Sequence, residues 1–163
     1  MGRKWKIALG VLAVLIVFCL WYTRPRSFDK LVGDGEFQNF AMTALTMGNK
    51  GGKMVSDSWQ LDSYEGREET AKALRELLQG CQYRVSLRSL LPFSNSGTVS
   101  SNASITAIVF VVGTENGDSF SAVYNGAAAT FYADRTIVTR ASDPDISEKL
   151  LAFAQEYGWK SDS

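Results

Sequence analysis

Residues 105–126 read ITAIVFVVGTENGDSFSAVYNG, and this stretch decides the fold class of the chain. Two runs rich in β-branched and aromatic residues are separated by Asn116-Gly117, and a second pair, Asn125-Gly126, ends the second run. Asn-Gly is the strongest short-range signal of a hairpin because both residues tolerate the positive φ angles of a type I′ turn. The stretch therefore predicts two consecutive β-hairpins in an antiparallel sheet.

Strand-like patterns continue on both sides of this stretch. The runs are rich in residues that favour strands, and Gly, Asn, Asp or Ser separate them. Upstream, we expect a hairpin around the glycine-rich segment 48–52, and downstream, Asp134-Arg135 turns the chain into the last strand of a four-strand meander. The remaining predicted strands cover residues 37–47, 54–61, 81–87, 128–132 and 136–140.

Two segments have helical periodicity instead. Residues 66–79 carry apolar residues at helical spacing and two acids in the first turn, where the helix dipole favours them. Residues 146–157 carry a second apolar stripe, and Gly158 ends it. We therefore predict an α+β fold with about six to seven strands in one mostly antiparallel sheet, a hairpin plus a four-strand meander, and two packed helices.

The charges of the 163-residue chain are unevenly distributed. Five of its 17 basic residues lie in the first 26 residues, which contain no acid, so the remaining 12 stand against all 17 acids and leave a net charge of −5. An acidic domain without a basic run lacks the electrostatic footprint of a phosphate-binding protein. We therefore expect no nucleic-acid partner.

An uncharged run of 16 residues, 7–22, precedes this domain. Counted from Trp5 to Tyr22, the segment would form a helix of about 27 Å, close to the roughly 30 Å hydrocarbon core of a bilayer. Aromatic residues stand at both ends, where an interfacial belt is expected. The run predicts a single transmembrane helix with the anchoring residues Trp5, Ile7, Leu12, Leu15, Phe18, Trp21 and Tyr22.

The residues that end this run argue against its removal. A signal-peptide cleavage site requires small residues, whereas the run ends in bulky and basic ones. Lipidation of Cys19 is the alternative, but Phe18 stands where lipoprotein processing requires a small residue. Basic residues are nearly balanced on the two sides, and a slight excess before the run indicates that the N-terminus is inside and the C-terminal domain outside the cell membrane.

Four regions follow from these patterns. Residues 1–26 are predicted to form a cytoplasmic stub and the transmembrane anchor. Residues 27–36 read as a polar tether, and residues 37–160 as an extracytoplasmic α+β domain, with a tail at 161–163. A domain of this length can bury its own core without a metal or a disulfide.

The chain offers little that could do chemistry. It contains no histidine, and Cys81 reads as a small buried residue rather than a reactive thiol. The pattern of Glu65, Glu68 and Glu69 favours a solvated first helical turn over a catalytic cluster. We therefore predict no catalytic residue, no metal site, no cofactor and no enzymatic activity.

One stretch combines basic and apolar groups beside a long loop and is the predicted recognition surface. The alternative is that its aromatic residues belong to the core and its arginines to an exposed strand. The residues concerned are Tyr83, Arg84, Arg88, Leu91 and Phe93.

The order of these features resembles that of small membrane-anchored extracytoplasmic domains of unknown function from Gram-positive bacteria. The resemblance is carried by the apolar helix, the Tyr83-Arg84 strand, Pro92 in the loop, the Asn-Gly meander, the hairpin at 37–61 and the helices at 68–79 and 146–157. It implies an extracytoplasmic location and brings no activity with it.

These observations predict a single-pass envelope protein whose outer domain has a non-catalytic binding or sensing role. Its expected partners are the lipid bilayer and an envelope protein. Two alternatives stay open at this point: a bitopic scaffold subunit of an envelope or secretion complex that pairs through a sheet edge, and an atypical hydrolase.

Overall fold

A nine-stranded antiparallel sheet is the frame of this computed structural model, which describes residues 3–50, 53–62, 68–90 and 105–161. The helices within these ranges are α1 (Arg3–Tyr22), α2 (Asp29–Val32), α3 (Glu68–Gln79), α4 (Ile146–Tyr157) and a 3₁₀ helix (Leu87–Leu90). The strands are β1 (Pro25–Ser27), β2 (Phe37–Lys50), β3 (Lys53–Asp62), β4 (Gln82–Val85), β5 (Ile105–Thr114), β6 (Ser119–Asn125), β7 (Ala128–Tyr132), β8 (Thr136–Ala141) and β9 (Trp159–Ser161). The predicted α+β class is confirmed.

The strands lie in the order β1-β4-β8-β7-β6-β5-β2-β3-β9, and all neighbours are antiparallel. Nine strands exceed the predicted six to seven because β1 and β9, the two edges, have three residues each. Three residues are too few to show the alternation by which a strand is recognised in a sequence. Only pairing with β4 and β3 makes these segments strands.

Glycines close both Asn-Gly hairpins, as predicted, but the turns are not of type I′. That turn requires two consecutive positive φ angles, and only glycines have a positive φ in the described part of the chain. Gly117 (φ 83°) donates its N–H to the Thr114 carbonyl, as in a type I turn followed by a glycine bulge. Gly126 (φ 57°) and Ala127 form a two-residue loop with glycine first, the φ pattern of a type II′ turn.

The sheet has one covered and one open face because side chains alternate along each strand. Helix α3 packs on β2, and α4 packs on β2, β3 and β5. On the opposite face, Val109, Val111 and Tyr132 remain 42%, 52% and 41% exposed. The largest fully buried side chains, which form the core with the helices, include Tyr83, Tyr124, Phe28, Phe110, Phe131, Met42, Leu61, Leu74 and Leu150.

The segment predicted as a polar tether, residues 27–36, is part of the folded domain. Strand β1 pairs with β4, and the one-turn helix α2 follows it. Phe28 is fully buried and Leu31 nearly so, because residues three apart in a helical turn point to the same side. The prediction was wrong because these two apolar side chains enter the core, although most residues around them in the sequence are polar. The ring of Phe28 lies 5.9–6.1 Å, centroid to centroid, from those of Phe37, Tyr83, Phe120 and Phe131.

Two further boundaries differ from the prediction. The strand predicted for residues 81–87 ends at Val85. The 3₁₀ helix, which begins at Leu87, follows it and lies beside β8. There the Ser89 hydroxyl accepts a hydrogen bond from the Val138 N–H (2.8 Å) and donates one to the Val138 carbonyl (3.1 Å). At the other end, Ser161 lies in β9 opposite Ser58, so the predicted tail begins inside the sheet.

Candidate functional site

Helix α1 is 20 residues long, about 30 Å, which matches the hydrocarbon thickness of a bilayer. By length and composition it could cross a membrane, and a signal sequence near the N-terminus would meet the same criteria. No residue of its apolar segment, Lys4–Tyr22, is fully buried, and only Cys19 and Tyr22 are partly covered. The predicted anchoring residues all lie on it: Trp5, Ile7, Leu12, Leu15, Phe18 and Trp21 are 45–64% exposed, and Tyr22 is half-buried.

The end of α1 is joined to the sheet by side-chain contacts. Only Thr23 and Arg24 separate the helix from β1. The Arg26 guanidinium lies 5.8 Å from the centre of the Tyr22 ring and donates a hydrogen bond to the Tyr22 carbonyl (3.4 Å). Arg24 lies 5.4 Å from the centre of the Trp21 ring, and Tyr22 packs against the core. Cation–π contacts of this kind hold basic side chains at the C-terminal end of α1.

Two arginines lie together on the open face near this edge of the sheet. Arg84 on β4 is directly opposite Arg140 on β8, and Pro25 on β1 is opposite Arg84 on its other side. Residues directly opposite share a face, and the burial of Tyr83 shows that this is the open one. We call Arg84 and Arg140 the arginine patch; both are exposed, and neither pairs with a carboxylate of the described residues.

A cleft of about 650 Å³ lies on the other side of the molecule, between α3 and the start of β2. It contains five exposed glutamates, which favour cationic groups over anionic ones. Arg75 in its wall is already engaged, since it donates to the Asp34 carbonyl (2.5 Å) and to the Asp29 carboxylate (3.5 Å). The described lining contains no hydroxyl or thiol nucleophile: Glu36, Phe37, Gln38, Glu68, Glu69, Lys72, Arg75, Glu76, Gln79 and Glu115.

The described residues of the predicted recognition surface do not all lie on one surface. Tyr83 is fully buried, because alternation along β4 turns its ring toward the helices, so including it was wrong. Arg84 is exposed, and Arg88 lies in the 3₁₀ helix. Leu91 and Phe93 lie outside the described residues. What the sequence did not indicate is Arg140, which only the pairing of β4 with β8 brings beside Arg84.

The Tyr83 hydroxyl forms a buried hydrogen-bonded pair with that of Tyr124. The Tyr83 hydroxyl donates to the Leu78 carbonyl (3.1 Å), and its oxygen lies 2.9 Å from that of Tyr124. Because a tyrosine has one proton to donate, Tyr124 must be the donor within the pair. Desolvation is the main reason why the pKa of each tyrosine is raised above its usual value. Both hydroxyls therefore stay protonated at neutral pH, and both rings are part of the buried core.

The two cysteines are free. Cys81 is buried, as predicted, and desolvation, followed by the charge of Asp143, raises the pKa of its thiol. A thiol that stays protonated is a poor nucleophile. Cys19 lies on α1. Within the described ranges, no three His, Cys, Asp or Glu side chains are grouped so that they could hold a metal ion.

Comparison with known proteins finds no matching protein-family model, no matching curated sequence and no matching solved structure. The resemblance to small extracytoplasmic domains therefore stays a prediction based on the order of elements. The helix, its junction with the sheet and the surface charges are the features that bear on function.

Proposed function

We propose that α1 is retained as a single-pass anchor and that it holds the α+β domain at the surface of the cell membrane. The domain has a non-catalytic binding or sensing role there, with the N-terminus inside and the domain outside. The bilayer is one partner, and a protein of the cell envelope is the other.

The observation that carries this proposal is the junction between α1 and the sheet. A segment destined for removal has no reason to contribute to the core, yet Tyr22 packs against it and Arg26 binds the Tyr22 ring and carbonyl. The next residues form β1, and Phe28 fills the centre of the aromatic core. Cleavage near the end of α1 would cut within this packed region, not within an open tether.

Fractionation of cells that express the full chain tests the anchor. We expect the protein to stay in the membrane after alkaline carbonate extraction and to have the intact mass of 17.9 kDa. A variant with Phe18→Ala and Leu20→Ala creates a small-x-small cleavage pattern and is the control for processing. A soluble wild-type product that begins near Ser27 would overturn the anchor.

The orientation is tested separately with a protease added to intact cells. We expect the domain to be digested from the outside while a fragment containing α1 stays protected. Complete protection in intact cells, with digestion after lysis, would reverse the orientation without affecting the anchor.

A scaffold role is a second candidate, and one feature of the sheet favours it. Strand β9 pairs only with Ser58–Gln60, so the outer edge of β3 from Lys53 to Ser56 pairs with no strand of the described chain. An open edge can accept a strand from another protein. Crosslinking in intact membranes followed by purification of the full chain should then return one stoichiometric membrane partner. A Ser56→Pro variant, which weakens an edge by constraining its backbone, should lose that partner.

The cleft beside α3 provides a concave surface for the binding role. Its five glutamates suit a cationic group, and its described lining contains no hydroxyl or thiol nucleophile. A hydrolase that attacks with a serine, threonine or cysteine would need that residue from elsewhere in the chain. Turnover of ester or peptide substrates by the purified full chain would revive it.

A further inference from the structure

The arginine patch contains an arrangement that costs stability unless it has an anionic partner. Like charges directly opposite each other on neighbouring strands repel, and here Arg84 and Arg140 form such a pair on the exposed face. Among the described residues, no carboxylate pairs with either of them.

The patch lies within reach of the headgroups of the leaflet in which α1 would end. The headgroup region is roughly 5–8 Å thick on each side of the hydrocarbon core. Neighbouring strands are about 4.8 Å apart, so Arg84 lies one spacing and Arg140 two spacings from β1. When the β1 edge faces the bilayer, both guanidinium groups can meet lipid phosphates.

Small residues beside the patch leave room for a headgroup. The residue opposite Arg140 on its other side is Ala128 of β7, and Pro25 stands beyond Arg84. Neither side chain is long enough to cover the guanidinium groups. The glutamates of the cleft lie on the helix-covered side of the sheet, so the two signs of charge are separated on an otherwise acidic domain.

We propose that the arginine patch binds the phosphate groups of anionic phospholipids and seats the β1 edge of the domain on the membrane surface. This proposal rests on the retained anchor, because α1 brings the patch to the bilayer. It holds for either orientation of the domain, since the patch lies beside the end of α1 in both.

The test uses the full chain, purified in mild detergent and mixed with equal amounts of phosphatidylglycerol and phosphatidylcholine. Native mass spectrometry then gives the ratio of the two lipids bound to the protein. We expect wild type to favour phosphatidylglycerol and an Arg84→Gln/Arg140→Gln variant to lose about fivefold of that preference per arginine, the factor for one basic residue near an anionic surface. The preference should also weaken with added salt.

Two control variants separate this effect from a general loss of charge. Arg135→Gln/Lys160→Gln removes two exposed positive charges elsewhere and should keep the wild-type ratio. Arg84→Lys/Arg140→Lys keeps the charge and should keep most of the preference. Thermal unfolding of each variant checks that the fold is intact. A ratio for Arg84→Gln/Arg140→Gln within twofold of wild type overturns the proposal.

Carbonate extraction of the same proteins from membranes distinguishes the two ways to fail. If α1 is not an anchor, wild type and all variants are released alike. If the anchor holds but the patch does not bind lipid, every protein stays in the membrane and the lipid ratio does not change.

Discussion

The two edge strands of the sheet have the same length but are stabilised by different contacts. Strands β1 and β9 have three residues each, and each pairs with one neighbour. Phe28, directly after β1, is fully buried, whereas Trp159 of β9 is 45% exposed. The Lys160 side chain binds the Asp57 carboxylate (2.6 Å) at the surface. The edge beside α1 is thus held by apolar burial, and the far edge by partly exposed polar contacts.

Edge strands of equal length can therefore differ greatly in stability. Burying a large apolar side chain contributes about 1.5–3 kcal/mol, whereas an exposed ion pair contributes about 0–1 kcal/mol. The β1 edge connects to the helix that would carry the domain, so force on the anchor reaches the core directly. No side chain of β9 is buried in the core, so the loss of this edge would leave the core intact.

Phe28→Ala should give the largest effect on this comparison. It removes a ring from the centre of the aromatic core and should lower the free energy of unfolding by about 3–5 kcal/mol. Urea unfolding of the full chain in detergent measures it. Trp159→Ala, at the other edge, is the matched aromatic control and should cost about 1 kcal/mol. Equal costs at the two positions would contradict the comparison.

High pH should destabilise the domain through the tyrosine pair near the β1 edge. The pKa values of Tyr83 and Tyr124 are raised in the folded state, so the folded protein holds these protons more tightly than the unfolded chain. Their contribution is complete below pH 10, the unfolded pKa, and is lost as pH rises above it. The raised pKa of Cys81 adds a loss of the same sign, beginning near pH 8.5. Urea unfolding at pH 8, 10 and 11 measures the slope, which should flatten above pH 10 in a Tyr83→Phe/Tyr124→Phe variant.

The two single phenylalanine variants should differ from each other. Tyr83→Phe leaves the Leu78 carbonyl and the Tyr124 hydroxyl without their partner, at a cost of about 1–3 kcal/mol. Tyr124→Phe leaves the bond from Tyr83 to Leu78 in place and should cost about 0.5–1.5 kcal/mol. Urea unfolding at pH 7 compares them, and a larger cost for Tyr124→Phe would show that the assigned donor direction is wrong.

Gly158→Ala should weaken the far edge. A Cβ at this position would lie 2.5 Å from the carbonyl oxygens of Ala154 and Gln60, both of which are backbone atoms and cannot turn away. We expect β9 to detach, with a loss of about 1–2 kcal/mol, limited because detachment relieves the clash. Hydrogen exchange should show lost protection at residues 159–161 and unchanged protection in β1. Gly80→Ala, where a Cβ would meet backbone oxygens at 3.5 Å, an ordinary contact, is the control for a glycine substitution away from this edge.

Asp57→Asn should give the smallest effect. It removes the ion pair with Lys160 at a site where the two side chains are 33% and 56% exposed, so the cost should stay below about 1 kcal/mol and vanish in high salt. Unfolding in low and high salt tests this. A cost that persists in high salt would mean that the far edge depends on this pair for more than electrostatics.

Much of the fold could be predicted because its signals are local. The Asn-Gly meander, the buried stripe of α3 at Ala71, Leu74 and Leu78, and the burial of Cys81 all follow from neighbouring residues. The turn types could not be predicted, because a glycine with positive φ serves several turn types and strand pairing selects among them. The candidate site was predicted only in part: α1 and Arg84 were identified, but Arg140 was not.

Three features follow from composition and from the spacing of apolar residues in the sequence alone: a helix long enough for a bilayer, an antiparallel meander and two amphipathic helices. The tertiary structure alone decided that residues 27–36 belong to the core, because Phe28 finds its four aromatic neighbours on distant parts of the chain. It also decided that Arg84 and Arg140 share one surface, because cross-strand register joins residues that no local pattern connects.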